Sequence, residues 1–301
     1  MLSLEGSLPT KPILGGFVIC RPTPIGDANR KEVGIRLMSD LHIGSLQVNY
    51  RLIQKELEEA RKNGDRICIN GDVFDAILVA DRKRFSPDAL HPRLHGRRDI
   101  LNSAIEWGVE MLGPFADFID VVGIGNHESA VEKHHSMDPV RILVYELAKA
   151  VSKERKSHVV HYGGYTGFVD YRFANNRWVL YYHHGSGGSS PVTKGMIDFN
   201  RKDVFVDADC IWMGHKHNRW NASLEKISCP LSGNSPNVKI VRHVMTGSYM
   251  KTYVGQSQES LRKHGRRTNY AADMGLAPQG QGGARVVLKK SRNFIEARVV
   301  Q

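Results

Sequence analysis

The run Ile67-Cys68-Ile69-Asn70-Gly71-Asp72-Val73-Phe74-Asp75 constrains this chain more than any other. Its apolar part is short and unbroken, the mark of a buried strand rather than one with a wet face. It stops at Gly71 and delivers a carboxylate, Asp72, into the loop beyond. One Gly-Asp after one strand is an ordinary turn. Four further apolar runs end the same way, each on side chains able to hold a metal ion.

In chain order, residues 1–30 carry several prolines and glycines and no clear periodicity, with one strand at 16–20. A strand over Val33–Ser39 runs into Asp40-Leu41-His42. Leu46, Tyr50, Ile53, Leu57 and Ala60 then mark an amphipathic helix that Asn63-Gly64 stops. The strand Arg66–Asn70 closes a β-α-β unit, which implies a parallel crossover. A basic loop follows (Arg82, Lys83, Arg84, Arg93, Arg97, Arg98), then a helix from Ile100 to Leu112 ended by Gly113-Pro114. The strand Phe118–Ile124 runs into Gly125-Asn126-His127-Glu128. The next helix begins at Asp138-Pro139, an N-cap followed by proline at the first helical position; His134 and His135 before it read as solvated loop residues.

From residue 158 the pattern becomes strand–strand: Val159–His161, Thr166–Phe173 and Arg177–Tyr182, with a hairpin turn at Asn175-Asn176. The last runs into His183-His184-Gly185 and a mobile Gly/Ser-rich loop to residue 190. Ala208–Met213 ends at Gly214-His215-Lys216-His217. A second basic stretch (Arg262, Lys263, Arg266, Arg267) precedes closing strands over Arg285–Lys289 and Phe294–Val300.

The five strand ends thus present Asp40 and His42, Asp72, Asn126 and His127, His184, then His215 and His217. In open α/β sheets, ligands bind beyond the carboxyl ends of strands. Oxygen and imidazole donors without thiolate suit Mn, Fe, Zn or Ni better than Ca or Mg. The four cysteines are far apart and two lie inside apolar strands, which argues for a reducing, cytoplasmic setting and against a disulfide or zinc–cysteine framework. Neither a signal peptide nor a membrane-spanning run is expected. With 41% hydrophobic and 24% charged residues in 301, the composition is that of an ordinary globular protein. The net charge of +11 favours polyanionic partners.

The series Asp40-x-His42, Gly71-Asp72-x-x-Asp75, Gly125-Asn126-His127-Glu128, His184-Gly185 and Gly214-His215-x-His217 resembles the calcineurin-like metallophosphoesterase superfamily, all five motifs in the family's order. The resemblance implies an α/β fold of α-β-β-α type, a two-sheet β-sandwich flanked by helices. Residues 31–255 would form the metallophosphoesterase domain, 1–30 an extension packed on it, and 256–301 a basic segment with closing strands of the same domain. Two divalent ions are implied, manganese favoured. Asp40, His42 and His217 would bind the first, Asn126, His184 and His215 the second, and Asp72 would bridge them. Strand alternation lets only one of His183 and His184 face the site; His184 is chosen because it precedes Gly185, as in the family motif. His127 is the candidate general acid, its ordinary pKa near 6.5 suiting the task. Asp75 and Glu128 are of the right type to orient ligand imidazoles.

The expected activity is phosphodiester hydrolysis in nucleic acid, with Arg82, Arg84, Arg97, Arg98 and Arg219 as phosphate contacts and Asn218 beside them. The alternative is a phosphodiesterase or phosphatase of small or cyclic nucleotides. A non-catalytic scaffold is disfavoured because every expected ligand position is filled.

Overall fold

The computed structural model describes residues 12–13, 16–22, 32–76, 89–155, 157–173, 176–188, 190–229, 235–253, 275, 277–291 and 295–301. In chain order the strands are β1 (Pro12–Ile13), β2 (Phe17–Cys20), β3 (Glu32–Met38), β4 (Arg66–Asn70), β5 (Ile119–Gly123), β6 (His161–Gly164), β7 (Thr166–Phe173), β8 (Asn176–His183), β9 (Cys210–Met213), β10 (Trp220–Ser228), β11 (Asn237–Met245), β12 (Ala284–Lys290) and β13 (Ile295–Val300). The helices are α1 (Tyr50–Asn63), α2 (Ile100–Leu112), α3 (Asn126–His135), α4 (Pro139–Ala150) and α5 (Met196–Asp203).

Two sheets result. One has six strands in the order β13-β12-β3-β4-β5-β6; the other has seven, in the order β1-β2-β7-β8-β9-β11-β10. In the first, β3 to β6 run parallel and β12 joins β3 antiparallel. In the second, β8, β9 and β11 are parallel neighbours. The unbroken run at Ile67–Ile69 serves two cores at once. Cys68 packs into the layer between the sheets with Ile35, Leu37, Val121, Leu180 and Trp212, while Ile67 and Ile69 face outward onto Ile53, Leu57, Leu143 and Leu147 of α1 and α4. Complete burial of each aliphatic side chain contributes about 1.5–3 kcal/mol. A third cluster, with Phe199 of α5 on Tyr181, Ile211 and Val241, covers the outer face of the second sheet. The architecture is therefore a two-sheet sandwich with helices on both sides.

Local chemistry explains most boundaries. Asn49 accepts the Leu52 N–H at the start of α1, and Gly64 ends it in the left-handed conformation (φ 63°). Asp138 caps α4 through the Arg141 N–H. Three expectations need correction. The strand–strand run from residue 158 does not lie in one sheet: β6 pairs with β5 of the first sheet, and β7 and β8 join β2 in the second. α3 lies where a loop was expected, so His134 and His135 sit, exposed, in its last turn. α5 was not anticipated. The turn residue Asn175, Phe294 and the basic residues Arg82, Lys83, Arg84, Arg262, Lys263, Arg266 and Arg267 lie outside the described residues.

Candidate metal centre

The parallel ladders continue past the strand ends and carry the polar loops with them. Asp40 N donates to Gly71 O and His42 N to Asp72 O, both at 3.0 Å, while Gly214 N donates to His184 O at 3.0 Å. The two sheets are joined at this edge by Asp40, whose carboxylate oxygens each accept the His215 N–H at 3.0 Å. Asp40 (φ 56°), His42 (48°), Asp72 (46°), His215 (65°) and His217 (53°) all adopt the left-handed backbone conformation. Such residues cost on the order of 1–3 kcal/mol each and persist only where their surroundings enforce them. Here they turn the chain back so that side chains from separate loops aim at one place.

Three groups of donors converge. Asp40, His42 and His217 place ligand atoms within 4.8 Å of one another, as do Asp72, His184 and His215, and His42, Asp75 and His127. Asp40 Oδ1 is 3.3 Å from His217 Nε2, and Asp72 Oδ2 is 3.2 Å from His184 Nε2. Asn126 opens α3 with its Oδ1 buried.

The ring partners define which nitrogen remains for an ion. His184 Nδ1 donates to Asn70 O at 2.9 Å, leaving Nε2 aimed at Asp72. His215 Nε2 donates to Gly187 O at 3.0 Å, leaving Nδ1. The Asp75 carboxylate stands 3.4 Å from His42 Nδ1, placed to hold that ring. Both nitrogens of His42, Nε2 of His184 and Oδ1 of Asn126 are buried without a hydrogen-bond partner. Leaving such an atom unsatisfied costs about 1–3 kcal/mol; with His42 Nδ1 turned to Asp75, the remaining nitrogen and oxygen donors fit a cation as the missing partner. The nitrogen and oxygen set suits a borderline divalent ion.

The electrostatics agree. Burial would raise the pKa of Asp72, but the histidines around it, His184 foremost, bring it below the usual carboxylate range. Asp40 moves the same way, with His217 overcoming burial. Burial lowers His184, yet Asp72 and Asp40 lift it to about 10. The buried carboxylates demand positive charge, and a proton on His184 supplies it. His215 is lowered by burial and by His184. Burial acts downward on His127 too, but Asp72 and Asp75 raise it overall.

Other side chains sit differently from the expectation. Glu128, 1% exposed, orients no imidazole. Its carboxylate accepts the backbone N–H of Asp72 (3.0 Å), Phe74 (2.9 Å) and Gly125 (2.7 Å), tying the Asp72 loop to the start of α3. Burial and nearby Asp72 raise its pKa to about 7. His127 N donates to Asp72 Oδ1 at 3.0 Å, and its ring Nδ1 donates to Asp75 O, which leaves Nε2 4.0 Å from Asp72 Oδ2. His183 accepts the Gly185 N–H at 2.9 Å and is pushed down to about 4 by burial and Lys202; it is His184 that meets Asp72. The Gly/Ser loop expected to be mobile is tied down at Gly185, whose carbonyl accepts Tyr165 Oη–H at 2.6 Å, and again at Gly187.

Of the expected phosphate contacts, Arg97 binds Asp99 and Ser103 at the start of α2, and Arg219 Nε donates to Gly283 O at 3.2 Å. Arg98 is exposed, and Asn218 is half-buried and already has a partner. Sequence reasoning missed Gly125, where a Cβ would collide with the Asp72 carboxylate. It also missed Ser39 and Thr246, buried behind Asp40. The signal for Gly125 was present: it opens the motif Gly125-Asn126-His127-Glu128, read above without a role for the glycine.

No protein-family model and no curated protein matches the chain. Solved structures do resemble it. A conserved uncharacterized protein from Streptococcus pneumoniae, described as a predicted phosphoesterase, shares 10% identity over 90% of this chain and 91% of its own, with a TM-score of 0.34. A hypothetical protein from Thermus thermophilus shares 12% over 89% and 99%, TM-score 0.34. A metallophosphoesterase from Sphaerobacter thermophilus shares 13% over 89% of each chain, TM-score 0.31. Likenesses this distant assign nothing to the chain; its side chains must carry the reading.

Proposed function

We propose that the chain is a phosphoester hydrolase working with two divalent metal ions, manganese favoured. One observation carries this: two carboxylate–histidine clusters stand side by side where the strand ends meet, with buried nitrogen and oxygen donors left unpaired. Asp40, His42 and His217 would hold one ion, Asn126, His184 and His215 the other, and Asp72 both. Two ions so held, when bound, supply Lewis acidity to a phosphoryl group and a nucleophile from water at neutral pH.

The chain's own residues do the rest. Glu128 accepts the N–H groups of Asp72, Phe74 and Gly125 and so ties the Asp72 loop to the start of α3, keeping that carboxylate aimed as the centre fills. Asn70 and Gly187 hold the rings of His184 and His215 through the nitrogen not offered to an ion. His127, held at Nδ1 by Asp75 O, points Nε2 into the centre. Asp72 and Asp75 keep it protonated, ready to give a proton to the leaving oxygen. Cations beside Asp72 would weaken that pull and move His127 back toward an ordinary imidazole value, where proton transfer near neutrality is efficient.

Nucleic acid is the substrate class we favour, because a net charge of +11 concentrates polyanions around the molecule. Small or cyclic nucleotides are the second reading, favoured by the engagement of Arg97 and Arg219 within the fold. A Mn²⁺-loaded panel of single- and double-stranded DNA, RNA, a cyclic nucleotide and a phosphomonoester separates them, with Asp72→Asn as control. Polymer cleavage that weakens with salt supports the first reading. Turnover confined to small esters supports the second. Activity in Asp72→Asn equal to wild type would sink both.

A further inference from the structure

Behind Asp40, on the side away from the histidines, a chain of buried hydrogen bonds crosses from the second sheet to the first. Trp212 Nε1 on β9 is 2.9 Å from Thr246 Oγ1, just beyond β11. Thr246 Oγ1 is 2.7 Å from Ser39 Oγ, just beyond β3, and Ser39 Oγ bonds Asp40 Oδ2. Trp212, Thr246, Ser39 and Asp40 are all completely buried.

The direction of this chain is forced at both ends. An indole N–H can only donate, and an ionised carboxylate can only accept. Ser39 has one hydroxyl proton and gives it to Asp40, so Thr246 must donate to Ser39. The Met213 carbonyl, 3.3 Å from Thr246 Oγ1, is the longer alternative for that proton. Every proton from Trp212 onward therefore points toward Asp40 Oδ2. With Oδ2 taken and the His215 N–H laid across both oxygens, the face of Oδ1 toward His217, 3.3 Å away, is what remains for an ion.

We infer that Trp212, Thr246 and Ser39 form a positioning relay that fixes the rotamer of Asp40 and presents Oδ1 to the first metal ion. The relay also explains how one ion can be shared between two sheets. His217 follows β9, Asp40 and His42 follow β3, and the relay joins those same strand ends from behind. Ser39 and Thr246 are 207 residues apart in sequence, so nothing local would hold them together. The inference rests on the two-ion reading above.

The test is Mn²⁺ binding by calorimetry to the metal-free full chain and to Ser39→Ala, Thr246→Val and Thr246→Ser, each checked for cooperative unfolding. Partners behind a ligand typically govern affinity 10–100-fold. Wild type should take up two ions. Ser39→Ala and Thr246→Val should weaken one by about that factor and leave the other unchanged. Thr246→Ser, which keeps the hydroxyl, should recover wild-type affinity. A packing defect alone would not single out one ion or be rescued by serine. Two ions bound with unchanged affinity in Ser39→Ala would overturn the relay and leave the metal centre standing, and this variant decides the matter if Thr246→Val fails to fold. No Mn²⁺ uptake by wild type would overturn both.

Discussion

The same strands carry two buried polar clusters, one at each end, and the clusters are built on opposite principles. At the start of β4 and β5, Arg66 pairs with Asp120 through Nε (3.0 Å) and a second, shorter contact from Nη2. Tyr171 Oη donates to Asp120 at 2.8 Å. Arg66 also donates to His158 Nδ1 at 3.1 Å, and His158 Nε2 donates to Ile119 O at 2.9 Å. These charges answer one another. At the far end of the same strands, Asp40, Asp72, His42, His184 and Asn126 converge with ring nitrogens and an amide oxygen left over. One end is closed and holds the sheets together; the other is open, strained in its backbone and in need of a cation. Buried polarity alone therefore does not mark a functional site. What sets the open end apart is that carboxylate, imidazole and amide donors from separate loops converge there.

The contrast can be broken most forcefully at the open end. Asp72→Asn should lower metal-dependent phosphoester hydrolysis by more than about 100-fold, above the range typical of residues behind a ligand. Its effect on the denaturation midpoint of the metal-free protein should be the smaller one, because His184 can release its proton once the Asp72 carboxylate is gone. At the closed end the pattern should invert. Asp120→Ala strands a buried guanidinium and should cost about 3–5 kcal/mol in chemical denaturation, with hydrolysis per folded molecule retained. Replacing both partners, Arg66→Met with Asp120→Leu, should recover most of that loss.

Acid should also act on the closed end. His161, 4% exposed, is pushed down to about 4 by burial, so the folded state prefers its neutral form. Its contribution is complete above the unfolded pKa near 6.5 and is lost as pH falls toward 4. That amounts to about 3 kcal/mol at most, read from urea midpoints between pH 7 and 4. A smaller effect is expected from saturating Mn²⁺, which should raise the stability of wild type by about 2.7 kcal/mol at one hundred times the dissociation constant. Asp72→Asn should gain little.

Much of this was legible in the sequence because strand ends announce themselves. Apolar runs that stop at Asp40, Gly71, Gly125, His184 and Gly214 need only the ladder rule to bring their next residues to one edge. What stayed hidden depends on long-range packing. α3 carries few apolar residues beyond Val131, so periodicity could not distinguish it from a loop. Glu128 read as a ligand-orienting carboxylate because nothing local shows that it will close on the backbone of Asp72, 56 residues earlier. Arg97 and Arg219 read as phosphate contacts because charge is visible in sequence and its partners are not. The left-handed backbone at five candidate ligand positions was equally invisible, since aspartate and histidine stand where glycine would have signalled it.

The most direct test of the central claim is a count of ions. The metal-free chain is titrated with Mn²⁺ by calorimetry beside Asp72→Asn. The account predicts two ions per chain for wild type, with uptake of both weakened in the variant, because Asp72 is proposed to serve both clusters. A single ion in wild type, or two ions bound equally well without the Asp72 carboxylate, would contradict it.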